Sequence, residues 1–321
     1  MKNKYTRVML GIVAVLGIIL LASCGKATDS SSNSKKSGIK VMTTFYPMYD
    51  FAKNVVGDEG TVEMLIPAGS EPHDYEPSAK DLAKLTDADV FVYNSKAMET
   101  WVPNALENLD KKKVSVVEAS QSIQLVDRAD EEQGHEDTDA HDGHNHDHEL
   151  DPHVWLDPVL AQKEVEAIRD ALVKKYPDKK ATFQTNADKY ITKLKELDEA
   201  YKTAFANAKN RAFVTQHAAF GYLAKQYHLI QEPIAGISPD QEPSPSRLAE
   251  LKKYITANGV SVIYFESTAS SKVAKTLASE TNVELAVLNP LESLTKKEQS
   301  AGKDYLSVMK DNLAALKKSI H

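Results

Sequence analysis

One cysteine, Cys24, serves a chain of 321 residues. No intrachain disulfide can form, so packing alone must hold the fold. The uncharged stretch from Val8 to Ala22 would rise only about 22 Å as a helix, short of the ~30 Å hydrocarbon core of a bilayer, so it does not read as a membrane span. No G-x-x-x-x-G-K-[ST] run occurs, which removes the phosphate-cradling loop of nucleotide hydrolases. No H-E-x-x-H occurs either, which removes a common metallohydrolase motif. Positive charge is in deficit: the formal net charge is −7 and no basic patch stands out. That argues against a nucleic-acid binder and is compatible with cationic ligands.

The N-terminus has its own logic. Lys2, Lys4 and Arg7 precede the apolar run, and Ser23 and Cys24 follow it, which is the charge, apolar, small order of an export signal over residues 1–23. The run "LASC" resembles a bacterial lipoprotein box. The resemblance implies cleavage before Cys24 and acylation of its sulfur, palmitate included. The protein is then expected on the extracytoplasmic face of the cell membrane, held by its lipid. Losing the three leading cations would make the mature chain more acidic still. The following "GKATDSSSNSKKSG" cannot bury apolar surface, so residues 24–37 read as a flexible tether.

The rest of the chain, with 42% hydrophobic residues overall, is enough for about two domains. From Ile39 onward short β-rich runs alternate with helical patterns, the signature of βαβ units and parallel sheets. "IKVMTTF", "TVEMLI", "DVFVYN" and "VSVVEA" form a first set of strands; "RAFVTQ", "VSVIYFE" and "ELAVLN" form a second. Asp157 is a suitable cap and Pro158 a suitable first-turn residue for a helix that Pro177 ends. Asn258 and Gly259 form a plausible helix stop. The spacing of Phe183, Ala187, Tyr190, Ile191, Leu194, Leu197, Tyr201 and Phe205 predicts one helix over residues 180–207, about 42 Å long. No helix within one α/β lobe needs that length, so it reads as a rod between lobes; a helical hairpin packed on one domain is the alternative. The expected architecture is therefore α/β: an N-terminal lobe over 38–179, the linking helix 180–207 and a C-terminal lobe over 208–321.

Five of the ten histidines crowd into "HDGHNHDHELDPHVW", residues 141–155. His135, His141, His144, His146 and His148 alternate with Asp and Glu and have no apolar neighbours, so residues 129–149 read as a mobile loop with weak, exchangeable metal sites. His153 differs. Pro152 stiffens its approach, and Val154, Trp155 and Leu156 can pack around it. His73 in "GSEPHDYEP" follows a strand, and His217 in "FVTQHAAF" ends one. Ligands of parallel α/β sheets gather outside the carboxyl ends of strands. Three imidazoles lean toward zinc, and a tetrahedral site needs a fourth donor. Glu292 in "VLNPLESL" is the favoured donor and Glu266 in "VIYFES" its competitor. Glu266 closes its strand, where it is well placed to accept a ligand's N–H.

"PHDYEPSAKDLAKLTDADVFVYN", "DPHVWLDP", "TQHAAFGYLAKQY", "YFES" and "LNPLESL", in that order along nearly the whole mature chain, resemble the metal-binding lipoproteins of ABC-type zinc and manganese uptake systems. The resemblance implies two lobes joined by a long rigid helix, with one tight metal site in the cleft between them. Its metal residues carry over to His73, His153, His217 and Glu292. It also implies a monomer that hands zinc to a membrane permease. Manganese binders of the family carry a carboxylate where His217 stands and usually lack the histidine-rich stretch, so both features here favour zinc. The extra C-terminal zinc domain of some relatives has no counterpart before "AALKKSIH". A secreted zinc hydrolase is the rival from another class, since three histidines and a water also make a catalytic site. A surface adhesin is a third reading, with no support in the composition.

Overall fold

The computed structural model describes residues 38–127 and 150–321. The expected export signal, Cys24, the tether and the histidine-rich stretch, with His135, His141, His144, His146 and His148, lie outside the described residues. The described chain opens with β1 (Ile39–Thr43), α1 (Tyr46–Val56), β2 (Gly60–Met64), α2 (Ala79–Asp87), β3 (Val90–Tyr93), α3 (Val102–Glu107) and β4 (Ser115–Glu118). Their strands form one parallel sheet in the order β2-β1-β3-β4. Helices cover both faces, which is why β3 is buried at every residue and reads as a continuous apolar run. Gly60 pairs with Ile39, and a Cβ there would come within 2.1 Å of the Ile39 carbonyl oxygen, so a side chain would force the strands apart.

Two long helices follow, α4 (Pro158–Lys175) and α5 (Lys180–Phe205). The Asp157 carboxylate caps α4 by accepting the Val159 N–H, and Pro158 occupies its first turn. The second half of the chain repeats the first topology with β5 (Ala212–Thr215), α6 (Gly221–Gln226), β6 (Ile230–Pro233), α7 (Pro245–Ala257), β7 (Val262–Phe265), α8 (Lys272–Thr281), β8 (Glu284–Val287), α9 (Lys296–Ser300) and α10 (Tyr305–Leu316). Its sheet is also parallel, in the order β6-β5-β7-β8. The α/β fold with two parallel-sheet lobes and one long helix is as the sequence implies. Among the described residues no helix is long and apolar enough to cross a membrane.

β6, α3, α9 and α10 escape the sequence reading. β6 mixes Gln231, Glu232 and Pro233 and lies at a sheet edge, where proline is tolerated and apolar alternation is not required. α10 follows the last strand and serves a different purpose from a crossover helix. It packs on the rod: the Tyr201 hydroxyl of α5 donates to the Met309 carbonyl at 2.7 Å. Toward its other end α5 meets α1, where Tyr190 donates to Asp50 at 2.6 Å and Asn186 to the Val55 carbonyl at 3.1 Å.

One apolar cluster therefore runs through both lobes, from Phe45, Met48 and Phe51 through Trp155 and Tyr190 to Tyr305 and Met309. Each sheet has a second, private cluster on its outer face, around Phe91 and Trp101 in one lobe and around Leu251 and Ile263 in the other. The shared cluster joins the lobes by packing as well as by covalent linkage. Bending them apart would expose apolar surface at about 25 cal/mol per Å2.

Beneath the ends of β1 and β3 lie two fully buried acids, Glu99 and Glu164. Glu99 accepts from the Thr44 hydroxyl at 2.5 Å and from the Asn94 and Ser95 N–H groups at 3.0 Å each. Glu164 accepts the Asn94 side-chain amide at 3.1 Å, leaving its own Oε2 and Asn94 Oδ1 without partners. Burial pushes Glu99 up to about 7, and burial with the nearby Glu99 charge pushes Glu164 well above the ordinary carboxylate range. Below pH 4.5 folded and unfolded chains both hold the Glu164 proton. Above it the unfolded chain ionises first, so stability falls until the folded chain ionises too. Glu164→Gln can pair its amide with Asn94 Oδ1. It should add about 1–3 kcal/mol at pH 8 and much less at pH 4.5. Urea unfolding at the two pH values checks this, and a destabilised variant at pH 8 would contradict it.

Candidate metal centre

His217 lies two residues beyond β5 and Glu266 one residue beyond β7. The parallel register that pairs Thr215 with Tyr264 brings these two residues side by side. The His217 carbonyl is held by the Thr215 hydroxyl at 2.8 Å and the Gln231 amide at 3.0 Å. His73 lies in the loop between β2 and α2, where its N–H donates to the Glu71 carboxylate at 3.0 Å. That loop is tied to the other lobe, since the Gly69 N–H donates to the Ser293 hydroxyl at 2.6 Å.

Glu292 needs more machinery. Asn289 donates its N–H to Asn312 Oδ1 at 2.8 Å and receives the Asn312 amide on its carbonyl at 2.7 Å. Its side chain then accepts the Leu291 N–H at 2.8 Å. Leu291 is buried in the left-handed region, at φ +62°, a conformation that costs a non-glycine residue about 1–2 kcal/mol. The turn delivers Glu292 to the cleft. Trp155 locks it to the His153 segment by donating its indole N–H to the Pro290 carbonyl at 2.8 Å.

The four side chains meet. His153 Nε2 is 3.2 Å from His73 Nε2, 3.4 Å from His217 Nε2 and 3.2 Å from Glu292 Oε1. Glu292 Oε1 is also 3.1 Å from His217 Nε2 and 3.5 Å from His73 Nε2. Donor atoms bound tetrahedrally at zinc's usual 2.0–2.1 Å stand about 3.3 Å apart. These five separations fit that figure, and all four donor atoms lie within 4.8 Å of one another. No other such cluster of histidine, cysteine and carboxylate occurs among the described residues.

The far ring nitrogens carry the orientation. His217 Nδ1 lies 2.5 Å from Glu266 Oε1 and His153 Nδ1 lies 2.7 Å from Asp151 Oδ1. A proton kept on each Nδ1 leaves the Nε2 lone pair directed at the centre. The structure thus places Glu292 among the inward nitrogens and Glu266 behind His217. Burial alone would lower both histidines, but Asp151 raises His153, and Glu266 with Glu292 raise His217 well above the ordinary range. Glu292 is held well below the usual carboxylate range: burial opposes this, and the three histidines, His217 foremost, outweigh it. Burial and then the Glu292 charge push Glu71 up to about 8. Only His73 is partly open to solvent, with 8% of its side chain exposed.

Sequence reasoning misses Asp151, although it stands two residues before His153 in the same motif. A carboxylate at that spacing, stiffened by Pro152, is the signal that could have found it. It also misses Trp155 as a tie between lobes, and the Asn289–Asn312 pair, which leaves no local mark.

Known proteins with this sequence pattern are similar over nearly the whole chain. The zinc-binding lipoprotein AdcA of Streptococcus pneumoniae is 51% identical over 306 residues, covering 95% of this chain and 60% of that protein. This chain therefore spans only about three-fifths of that relative's length. The high-affinity zinc uptake system protein ZnuA of Bacillus subtilis is 52% identical over 303 residues and covers 94% of both. Among solved structures, the Zn(II)-bound ZnuA-like domain of Streptococcus pneumoniae AdcA matches with a TM-score of 0.75 and 51% identity, over 88% of this chain and 99% of that one. The family model described as zinc-uptake complex component A, periplasmic, matches residues 41–319, and the chain belongs to that family.

Proposed function

We propose that this protein is the extracytoplasmic zinc-binding lipoprotein of an ABC-type uptake system, holding one zinc ion tightly between His73, His153, His217 and Glu292 and delivering it to a membrane permease. One observation carries the reading: three imidazole nitrogens and one carboxylate oxygen converge at separations of 3.1–3.5 Å, with carboxylates behind two of the rings. Nitrogen-rich donors favour zinc over manganese. Four protein donors also fill the position that a catalytic water would need, which favours carriage over hydrolysis. Lipid on Cys24 would keep the monomeric carrier at the membrane, and the histidines of 135–148 would raise local zinc through weak sites.

Protein purified without a chelator or affinity tag should contain one tight zinc, together with weaker sites removed by deleting residues 134–148. Metal analysis and competition with a zinc dye measure both. Manganese in place of zinc, or loss of the tight site on the deletion, would overturn the assignment.

A further inference from the structure

Tyr222 lies in α6, in the C-terminal lobe, five residues beyond His217. Its ring is buried and its hydroxyl reaches the N-terminal lobe. There Asp127 and Leu150 form an antiparallel bridge. The next pair outward, Val126 and Asp151, is only half made by backbone: the Asp151 N–H donates to the Val126 carbonyl at 2.9 Å. The reciprocal rung passes through the tyrosine. Val126 N–H donates to Tyr222 Oη at 2.9 Å, and Tyr222 Oη donates to the Asp151 carbonyl at 2.8 Å.

Asp151 is the residue whose carboxylate holds His153. One oxygen, Oδ1, accepts both the His153 N–H at 2.9 Å and the ring Nδ1–H at 2.7 Å. An unbroken chain of hydrogen bonds therefore runs from α6 of one lobe through the Asp151 backbone to the imidazole of the other. We infer that Tyr222 is a positioning residue for zinc capture: its hydroxyl fixes the Asp151 peptide, and through it the tautomer and aim of His153. This inference rests on the zinc-binding reading above. The tie also makes the two lobes register at the level of the donor set, because His217 and Tyr222 stand five residues apart in the one segment that runs from β5 into α6.

Tyr222→Phe removes the hydroxyl and keeps the ring, so the packing of α6 is retained. Outer partners of metal-bound histidines are worth about 10–100-fold in metal affinity. Tyr222 acts one bond further out, and its loss should weaken zinc binding about three- to tenfold, with Asp151→Asn costing more. Residues that act through one another are not additive. The double variant Tyr222→Phe, Asp151→Asn should accordingly bind zinc no more weakly than Asp151→Asn alone.

The readout specific to positioning is nitrogen NMR of the zinc-free protein. At a pH high enough to clear the Nε2 protons, His153 should show one dominant Nδ1–H tautomer in the wild type and a mixture of tautomers in Tyr222→Phe. Additive losses in the double variant, or an unaltered His153 spectrum, would overturn the inference. If Tyr222→Phe fails to fold, the Asp151→Asn spectrum decides, since an unaltered His153 there breaks the chain at its last link. Wild-type protein that takes up no zinc would instead refute the zinc reading itself.

Discussion

His153→Ala should weaken zinc binding by several hundredfold, among the largest losses of any single substitution at the centre. His153 Nε2 stands within 3.4 Å of each of the other three donor atoms, and the residue is fully buried. Structural zinc sites bind with about 10–16 kcal/mol, so one donor of four is worth about 3–4 kcal/mol, or a few hundredfold. Alanine also leaves the Asp151 carboxylate buried without its ring donor, which adds to the cost. His217→Ala should behave alike, because it strands Glu266 in the same way. His73→Ala should cost less, since its partly open position admits a water as replacement. Single alanines at His135, His141, His144, His146 or His148 should change the tight affinity by less than about twofold. Competition with a zinc dye ranks the whole series. Equal losses from the two groups of histidines would show that the tight site is not the one at the lobe junction.

The histidines that the structure brings together could be picked out in the sequence because the signals around them are local. His73 and His217 adjoin strands whose apolar runs are unmistakable, and the strand-end rule places ligands there. Asp157, Pro158 and the Asn258–Gly259 stop were legible for the same reason: a cap or a turn is written in adjacent residues. The choice between Glu292 and Glu266 is of another kind. It depends on which ring nitrogen each carboxylate meets, and that follows from the β5–β7 register and from the left-handed turn at Leu291. A favoured donor could be named from sequence, but not the geometry that separates the two. Tyr222 lies 71 residues from Asp151 and 96 from Val126, and its partners are backbone groups, which leave no pattern of residue types. β6 was missed for a related reason: an edge strand carrying Gln231, Glu232 and Pro233 has no apolar alternation to read.

Zinc binding should also release protons and strengthen steeply with pH, over a range reaching above the 6.5 of an ordinary histidine. In the metal-free centre the carboxylates raise His153 and His217, so both hold a proton on Nε2 to higher pH than an ordinary histidine does. Zinc must displace the Nε2 protons. The affinity should then rise about 10–100-fold per pH unit while one to two protons leave for each ion bound. Stability of the zinc-free protein should move the opposite way. A histidine raised by folding contributes fully below its unfolded value of 6.5, and the contribution is lost as pH climbs through the folded value. Glu292, held low, contributes above 4.5 and loses its contribution only as the pH falls well below that. Between pH 6 and 8 the zinc-free protein should therefore soften as the zinc complex tightens, and the zinc-induced rise in melting temperature should grow. Calorimetry in buffers of different ionisation enthalpy counts the protons, and paired melting curves at pH 6, 7 and 8 follow the stability. An affinity that stays level from pH 6 to 8, with no proton released, would mean that the histidines are already neutral when the ion arrives, and that the carboxylates behind them do not set the charge of the empty centre.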